Sequence, residues 1–253
     1  MSDTKQSVQQ QFGQVAANYR TSAVHAAGSD LAMMVKATEL RGNERVLDAG
    51  CGAGHTAVTF APHVGQVTAL DLTETMLEQV NLLAQEKGLS NITTQRGDVE
   101  QLPFDDASFD IVTSRYSAHH YPNPRQAVNE FFRVLKPGGR FILSDIVASE
   151  VPVMDTFLQT IELLRDISHV RDHSITQWQA MLGEAGFETT LLGTAPVPLN
   201  FDAWVKRIAT PDQQVAMLKT LWDSAPTSIR EAFQVEADYS FTLTVAVLAA
   251  VKA

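Results

Sequence analysis

Residues Val46 to Gly54 read Val-Leu-Asp-Ala-Gly-Cys-Gly-Ala-Gly, a short apolar run that ends on a carboxylate and breaks into three glycines within five positions. No other stretch limits the fold as tightly. An apolar run of this length bounded by glycine reads as a buried strand, and Gly50, Gly52 and Gly54 let the backbone take positive φ and admit a ligand closer than a Cβ would permit. Helical spacing follows, so the turn opens onto a helix N-terminus suited to a nucleotide-like ligand. A second carboxylate, Asp71, closes Gln66-Val67-Thr68-Ala69-Leu70 about 20 residues later, where a βαβ nucleotide site carries its acceptor for ribose hydroxyls.

The rest of the chain repeats the strand–helix alternation. Strands are predicted to end at Asp48 and Asp71 and to span Ile92–Gln95, Asp110–Ser114 and Arg140–Ile146. Helices are predicted over Ser7–Tyr19, over Ser29–Leu40 with Ser29 as N-cap and Gly42 just past the end, and over Ala53–Phe60. Another helix starts on Thr73, buries Met76, Leu77, Val80, Leu83 and Ala84, and stops at Gly88; a stripe of Val128, Phe131, Phe132 and Leu135 marks the next. This pattern predicts an α/β fold with a doubly wound, Rossmann-like, mostly parallel sheet. About 40 residues separate the fifth strand from a sixth at Phe187–Leu192, far more than a usual crossover. They hold two predicted helices, Val153–Arg165 and Ser174–Ala185, the second opened by a Ser174/Gln177 capping box. A helical stretch, Phe201–Phe233, precedes a β-rich tail, Tyr239–Val251.

The expected organisation is one domain over 1–253: a helical cover (1–28), a ligand-binding core (29–150), helical lid insertions (151–186 and 196–236) and the final strands (187–195 and 237–253). Net charge is −10 with no Lys/Arg-rich run, which argues against nucleic acid as partner. Cys51 is the only cysteine and reads as a small filler between glycines. No apolar stretch reaches membrane-spanning length and Met1-Ser2-Asp3-Thr4-Lys5-Gln6 lacks a leader's layout, so a cytoplasmic protein is expected.

The glycines fall as G-x-G-x-G, not as the dinucleotide pattern G-x-G-x-x-G, because position 55 is His55. Asp48-Ala49-Gly50-Cys51-Gly52-Ala53-Gly54 resembles the first motif of the class I S-adenosylmethionine-dependent methyltransferases. An acidic residue beside the turn suits a ligand of net positive charge and would repel a pyrophosphate. Gly97-Asp98-Val99-Glu100-Gln101-Leu102-Pro103-Phe104 is similar to the family segment in which the Asp accepts the adenine amine and a neighbouring backbone N–H meets a ring nitrogen. Phe109-Asp110-Ile111-Val112-Thr113-Ser114 and Arg133-Val134-Leu135-Lys136-Pro137-Gly138-Gly139-Arg140-Phe141-Ile142 follow in the family's order. The resemblance runs from Phe12 to Phe187 and is nearest to the ubiquinone/menaquinone-biosynthesis C-methyltransferase-like group of small-molecule methyltransferases.

The resemblance implies a seven-stranded sheet with an antiparallel last strand, S-adenosylmethionine as cofactor and S-adenosylhomocysteine as product. It assigns cofactor contacts to Tyr19, Asp48, Gly50, Cys51, Gly52, Gly54, Asp71, Leu72, Met76, Gly97, Asp98, Val99, Ser114 and Arg115. Met76 and Tyr19 also fit as members of helix stripes. His119 leaves the end of strand four as a neutral general base for an O–H, N–H or acidic C–H acceptor, with His120 as second choice. Tyr116, His169, Arg171 and Trp204 are candidate acceptor contacts, Trp204 equally a lid-core residue. No metal-ligand spacing is present. The expected partner is a small organic acceptor, and a homodimer is compatible with the sequence. Two other classes stay open: a non-catalytic S-adenosylmethionine-binding sensor and a nicotinamide-dependent oxidoreductase.

Overall fold

The structure is a computed structural model that describes residues 3–253, the side chains of Ala23 and Val24 excepted. Met1 and Ser2, which open the leader argument and the 1–28 cover, lie outside the described residues. Strands β1 (Arg45–Ala49), β2 (Gln66–Asp71), β3 (Ile92–Arg96), β4 (Phe109–Arg115), β5 (Leu135–Ile146), β6 (Phe187–Leu199) and β7 (Phe241–Lys252) form one seven-stranded sheet in the order β3-β2-β1-β4-β5-β7-β6. The first five pair in parallel, and β7 runs antiparallel between β5 and β6. The expected doubly wound sheet with its antiparallel last strand is therefore present.

Helices α1 (Asp3–Arg20), α2 (Ala23–Ala26), α3 (Ser29–Lys36), α4 (His55–Phe60) and α5 (Glu74–Glu86) come from the first half of the chain. From the second come α6 (Pro124–Val134), α7 (Pro152–Arg165), α8 (Ile175–Glu184), α9 (Phe201–Arg207), α10 (Asp212–Ser224) and α11 (Thr227–Ala232). One sheet face buries Phe131, Trp178 and Leu182 from α6 and α8; the other buries Met34, Phe60 and Val80 from α3, α4 and α5. Each such side chain contributes roughly 1.5–3 kcal/mol of transfer free energy. Among the described residues no helix is long and apolar enough to cross a membrane.

Several boundaries differ from expectation, each for a local reason. Gly28, not Ser29, is the N-cap of α3, which ends at Lys36. The glycine turn delays α4 to His55, because Gly54 sits in the left-handed region as its N-cap. Thr73 occupies the N-cap of α5 without capping it; its own N–H is held by the Asp71 carboxylate at 2.8 Å. The capping box of Ser174 and Gln177 forms as expected.

The largest correction concerns β6, which runs to Leu199 and carries Pro196 and Pro198 within it, so the strand/lid boundary at 195/196 falls inside a strand. Proline reads as a strand breaker, but β6 is the outermost strand and pairs only with β7, so a missing N–H on its open side breaks no ladder. β5 stops pairing at Ile146↔Val245, while Phe241–Thr244 continue against Pro196–Leu199. That overhanging ribbon gives the lid helices a floor: Phe241, Leu243 and Leu199 join Trp204, Trp222, Ile161 and Leu218 in a third apolar cluster. The helices expected to form a lid thus share an apolar cluster with β6 and β7.

Candidate functional site

Strand order reverses between β1 and β4, and a cavity of about 940 Å³, counting its open mouth, lies outside the carboxyl ends of β1, β2 and β4. Its floor is the glycine loop. Gly50 N–H and Cys51 N–H both donate to Leu70 O, at 2.8 and 3.0 Å, which folds the loop back onto β2. A Cβ on Gly50 would stand 2.0 Å from Ser117 Oγ, whereas one on Gly52 would meet nothing within 4 Å. The first glycine is therefore demanded by the protein, and the second, at φ +50°, leaves bare backbone facing the cavity. Asp71 ties the loop down: its Oδ2 accepts Gly52 N–H at 2.9 Å and its Oδ1 accepts Thr73 N–H, and burial raises its pKa. Lone pairs remain on both oxygens for a ligand hydroxyl.

Of the residues assigned to the cofactor, Cys51, Gly52, Asp71, Leu72, Met76, Gly97, Asp98, Val99 and Arg115 line this cavity, as do Gly50 and Tyr19. Three assigned residues do not. Asp48 lies beneath the loop, 1% exposed, with Oδ1 accepting from Thr113 Oγ1 at 3.0 Å and Oδ2 unpartnered; burial pushes its pKa up to about 7. It braces β1 against β4 instead of lining the cavity. Gly54 is small because α5 packs on it, with Val80 3.0 Å from where its Cβ would be. Ser114 is fully buried and shares a hydrogen bond with the Tyr121 hydroxyl at 2.9 Å, part of a network reaching Ser117 and Ala49 O.

α1 forms the roof. Lys5, Val8, Phe12 and Tyr19 line the cavity; Gln9 Nε2 donates to Leu72 O at 2.8 Å, and His55 Nε2 meets Tyr19 O at 3.0 Å. Lys5 Nζ donates to Asp98 Oδ2 at 2.7 Å and also pairs with Glu100, and Glu100 N–H donates to Asp98 Oδ1 at 3.0 Å, so both oxygens of Asp98 already have a partner. Arg115 reaches the rim with its charge answered by Asp30, donating Nη2–H to Oδ1 at 3.0 Å, and its Nη1–H goes to His25 O at 2.8 Å.

A second cavity, about 590 Å³ with its mouth, lies between the sheet ends and the lid and shares Phe12, Tyr19, His25, Tyr116 and His120 with the first. These rings meet edge-on: Phe12 and His120 at 4.9 Å, Tyr19 and His25 at 5.2 Å, His25 and Tyr116 at 5.6 Å. Tyr116 holds φ at +48°, costly for a bulky residue, where β4 ends. Its side chain faces both cavities.

The expectation of a neutral His119 is corrected. His119 lines only the second cavity; its Nδ1–H donates to Asp145 Oδ1 at 2.7 Å, its backbone N–H to Oδ2 at 3.2 Å, and the carboxylate lifts its pKa to about 9. At neutral pH it is an imidazolium. His120 is the opposite case: Nδ1–H donates to Ser168 O at 3.0 Å, and burial with the adjacent His119 charge drops its pKa to about 4, leaving Nε2 with a free lone pair. Its Nε2 is 3.8 Å from Asp166 Oδ2, an oxygen with no hydrogen-bond partner.

Of the expected acceptor residues, Tyr116 and Trp204 line the second cavity. His169 and Arg171 do not. His169 is buried behind His119, hydrogen-bonded to Gln159 at 3.1 Å and kept neutral by burial, its pKa down to about 2. Arg171 turns outward to the Asp155 carboxylate. His119, Asp145 and Asp172 place one metal-ligand atom each within 4.8 Å of one another, although two of the three already satisfy each other through a proton. Missing from the sequence reading as site residues were Lys5, Phe12, His25, Asp145, Glu162 and Arg207. They sit on α1, α2, β5, α7 and α9, far apart in sequence, and only the packing of these elements brings them to the sheet's carboxyl edge.

The comparisons agree with this geometry. A methyltransferase-domain family model matches residues 47–143, the part holding the glycine loop, Asp71 and β4. The chain is 43% identical over 222 residues to the uncharacterized methyltransferase YcgJ of Bacillus subtilis, covering 88% of each chain. It is 41% identical over 204 residues to the uncharacterized protein YafE of Escherichia coli, covering 81% of this chain and 99% of that one. The crystal structure of the Bacillus YcgJ protein superposes with a TM-score of 0.86 over 89% of this chain and 99% of that one. This protein belongs to the class I S-adenosylmethionine-dependent methyltransferases and is an enzyme that uses S-adenosylmethionine.

Proposed function

We propose that the enzyme methylates a small organic acceptor seated in the second cavity, with His120 as general base. One observation carries this reading: the loop cavity and the lid cavity meet at a collar of Phe12, Tyr19, His25, Tyr116 and His120. The bare backbone at Gly52 and the spare lone pairs of Asp71 fit an adenosyl ribose in the first cavity, with Leu72 and Met76 as apolar neighbours of the base. S-adenosylmethionine, when bound, supplies an electrophilic methyl on a sulfonium, the C–S bond breaking as the bond to the acceptor forms.

The protein's part is alignment, exclusion of water and handling of one proton. Aromatic faces at the collar favour a cation there, and α1 with the lid closes both sides, so acceptor and methyl donor meet in a water-poor passage. His120 Nε2 is free to take the proton of an O–H, N–H or acidic C–H group. The Asp166 carboxylate beside it would stabilise the resulting imidazolium, lifting a base that is weak in isolation as the proton arrives. Apolar walls from Ile146, Val197, Leu199 and Leu243 suit an acceptor with apolar area.

Incubating the enzyme with isotopically labelled S-adenosylmethionine and a panel of hydroxylated and amino compounds, read by mass spectrometry, tests this proposal. A product heavier by one methyl group, formed more slowly by His120→Gln at unchanged S-adenosylhomocysteine affinity, is expected. Failure of S-adenosylhomocysteine to bind, or full turnover in His120→Gln, refutes it.

A further inference from the structure

We propose that the second cavity is built for an acceptor that carries a carboxylate, anchored by the guanidiniums of Arg207 and Arg165. The inference rests on that cavity being the acceptor site. Both arginines line it, Arg165 from the last turn of α7 and Arg207 from the last turn of α9. Arg165 is 10% exposed and answered: Nη1 lies 3.6 Å from Glu162 Oε2, Nε–H donates to Trp204 O at 3.2 Å, and the guanidinium sits 4.9 Å from the Trp204 ring centre. Arg207 is different. Among the described residues no carboxylate is within salt-bridge reach of it, its Nη1 has only the Ser22 hydroxyl at 3.4 Å, and its Nε is shut off from solvent with no acceptor. A largely desolvated guanidinium without a counter-charge is costly, and a ligand anion recovers that cost.

The other charged groups around the cavity face partners other than Arg207. Glu162 is matched by Arg165 and His119 by Asp145. Asp172 is fully buried with one unpartnered oxygen, and burial pushes its carboxyl well up toward the neutral form. Asp166, the remaining carboxylate, lies 3.8 Å from His120, so Arg207 is the guanidinium on these walls with no carboxylate of its own among the described residues. A single negative charge completes the site, whereas the nearby acidic groups disfavour a dianion such as a phosphate monoester. The planar fork of arginine matches a carboxylate edge to edge, and the apolar walls opposite take the rest of such a molecule. A carboxylate held by guanidiniums is a poor nucleophile, so it serves as the handle while another group of the same molecule faces His120. Because the two arginines sit on different lid helices, the handle would also tie α7 to α9.

Calorimetric titration of the S-adenosylhomocysteine-saturated enzyme with matched pairs tests this: 4-hydroxybenzoate against 4-hydroxybenzamide, hexanoate against hexanamide, with inorganic phosphate as a third anion. At least one acid should bind tenfold or more tightly than its amide, and Arg207→Gln should abolish the difference. Arg207→Lys keeps the charge without the fork and should retain part of it, which separates loss of the anchor from loss of folding. Equal binding of acid and amide in both pairs, a preference that survives in Arg207→Gln, or tighter binding of phosphate than of either acid overturns the inference. S-adenosylhomocysteine affinity is measured first. Its absence would refute the proposed function, whereas its presence without acid preference would refute the carboxylate handle alone.

Discussion

Replacing Asp71 by Asn separates a ligand contact from a structural strut. The wild-type carboxylate accepts Gly52 N–H at 2.9 Å and Thr73 N–H at 2.8 Å, one on each oxygen. Asparagine has a single oxygen, so whichever way its amide turns, an NH₂ group opposes one of the two backbone donors. One hydrogen bond to a charged group is lost, at roughly 1.5–3 kcal/mol, and the surviving one becomes a neutral bond worth about 1 kcal/mol. The free protein should lose about 2–5 kcal/mol of stability from these two changes together. If the same carboxylate also accepts ribose hydroxyls, ligand affinity falls by a further charge-assisted bond, or about 10- to 100-fold. Calorimetry with S-adenosylhomocysteine measures the second quantity and urea unfolding the first. The wild type adds a pH signature: burial has raised the Asp71 pKa, so affinity should weaken on acidification sooner than an ordinary carboxylate would predict, and the Asp71→Asn variant should show no such limb. An Asp71→Asn protein that is destabilised but binds S-adenosylhomocysteine within about threefold of wild type would show that Asp71 only holds the loop.

Gly50→Ala should cost on the order of 2–4 kcal/mol in urea unfolding, because a Cβ at φ +70° would strike Ser117 Oγ and crowd the Tyr121 hydroxyl; an unchanged midpoint refutes the packing argument. Asp145→Asn should destabilise the protein most near pH 6 and least above pH 9. His119 has its folded pKa raised from 6.5 to about 9, so its stabilisation, on the order of 2–3 kcal/mol, is complete below the unfolded value and disappears as pH rises through the folded one. A wild-type-minus-variant difference in melting temperature that does not vary with pH contradicts the ion pair. His120, with its pKa depressed to about 4, acts in the other direction: stability falls as pH drops below 6.5, and the imidazole proton resonances of His120 should stay flat above about pH 5. A mid-point near 7 in that titration removes it as the neutral base. Ser174→Ala should cost about 1 kcal/mol through loss of the capping box, read as a lower unfolding midpoint, and no loss would mean that Gln177 alone holds the helix end.

Local sequence carries the glycine-loop cavity because its floor is built from consecutive residues. Gly50 to Gly54 follow β1 and Asp71 ends the adjacent parallel β2, the two strands pairing in the register Ala49↔Leu70, so a strand–turn–helix pattern already implies their proximity. Asp98 and Val99 follow β3 in the same way. The second cavity is assembled from α1, α7, α9, β7 and the segment after β4, and nothing in the spacing of His119, Glu162 and Arg207 says that they face one cavity.

The sequence by itself determined the α/β alternation, the glycine floor and the second-strand carboxylate, since periodicity and backbone freedom are properties of neighbouring residues. Only the tertiary structure decided which histidine is charged. Asp145 arrives from β5, 26 residues away, to hold the proton on His119, while burial beside that new charge leaves His120 neutral. It also turned Asp48 from a ligand residue into a brace and let two prolines into an edge strand, because a side chain's field and a strand's neighbours are set by elements brought together across the chain.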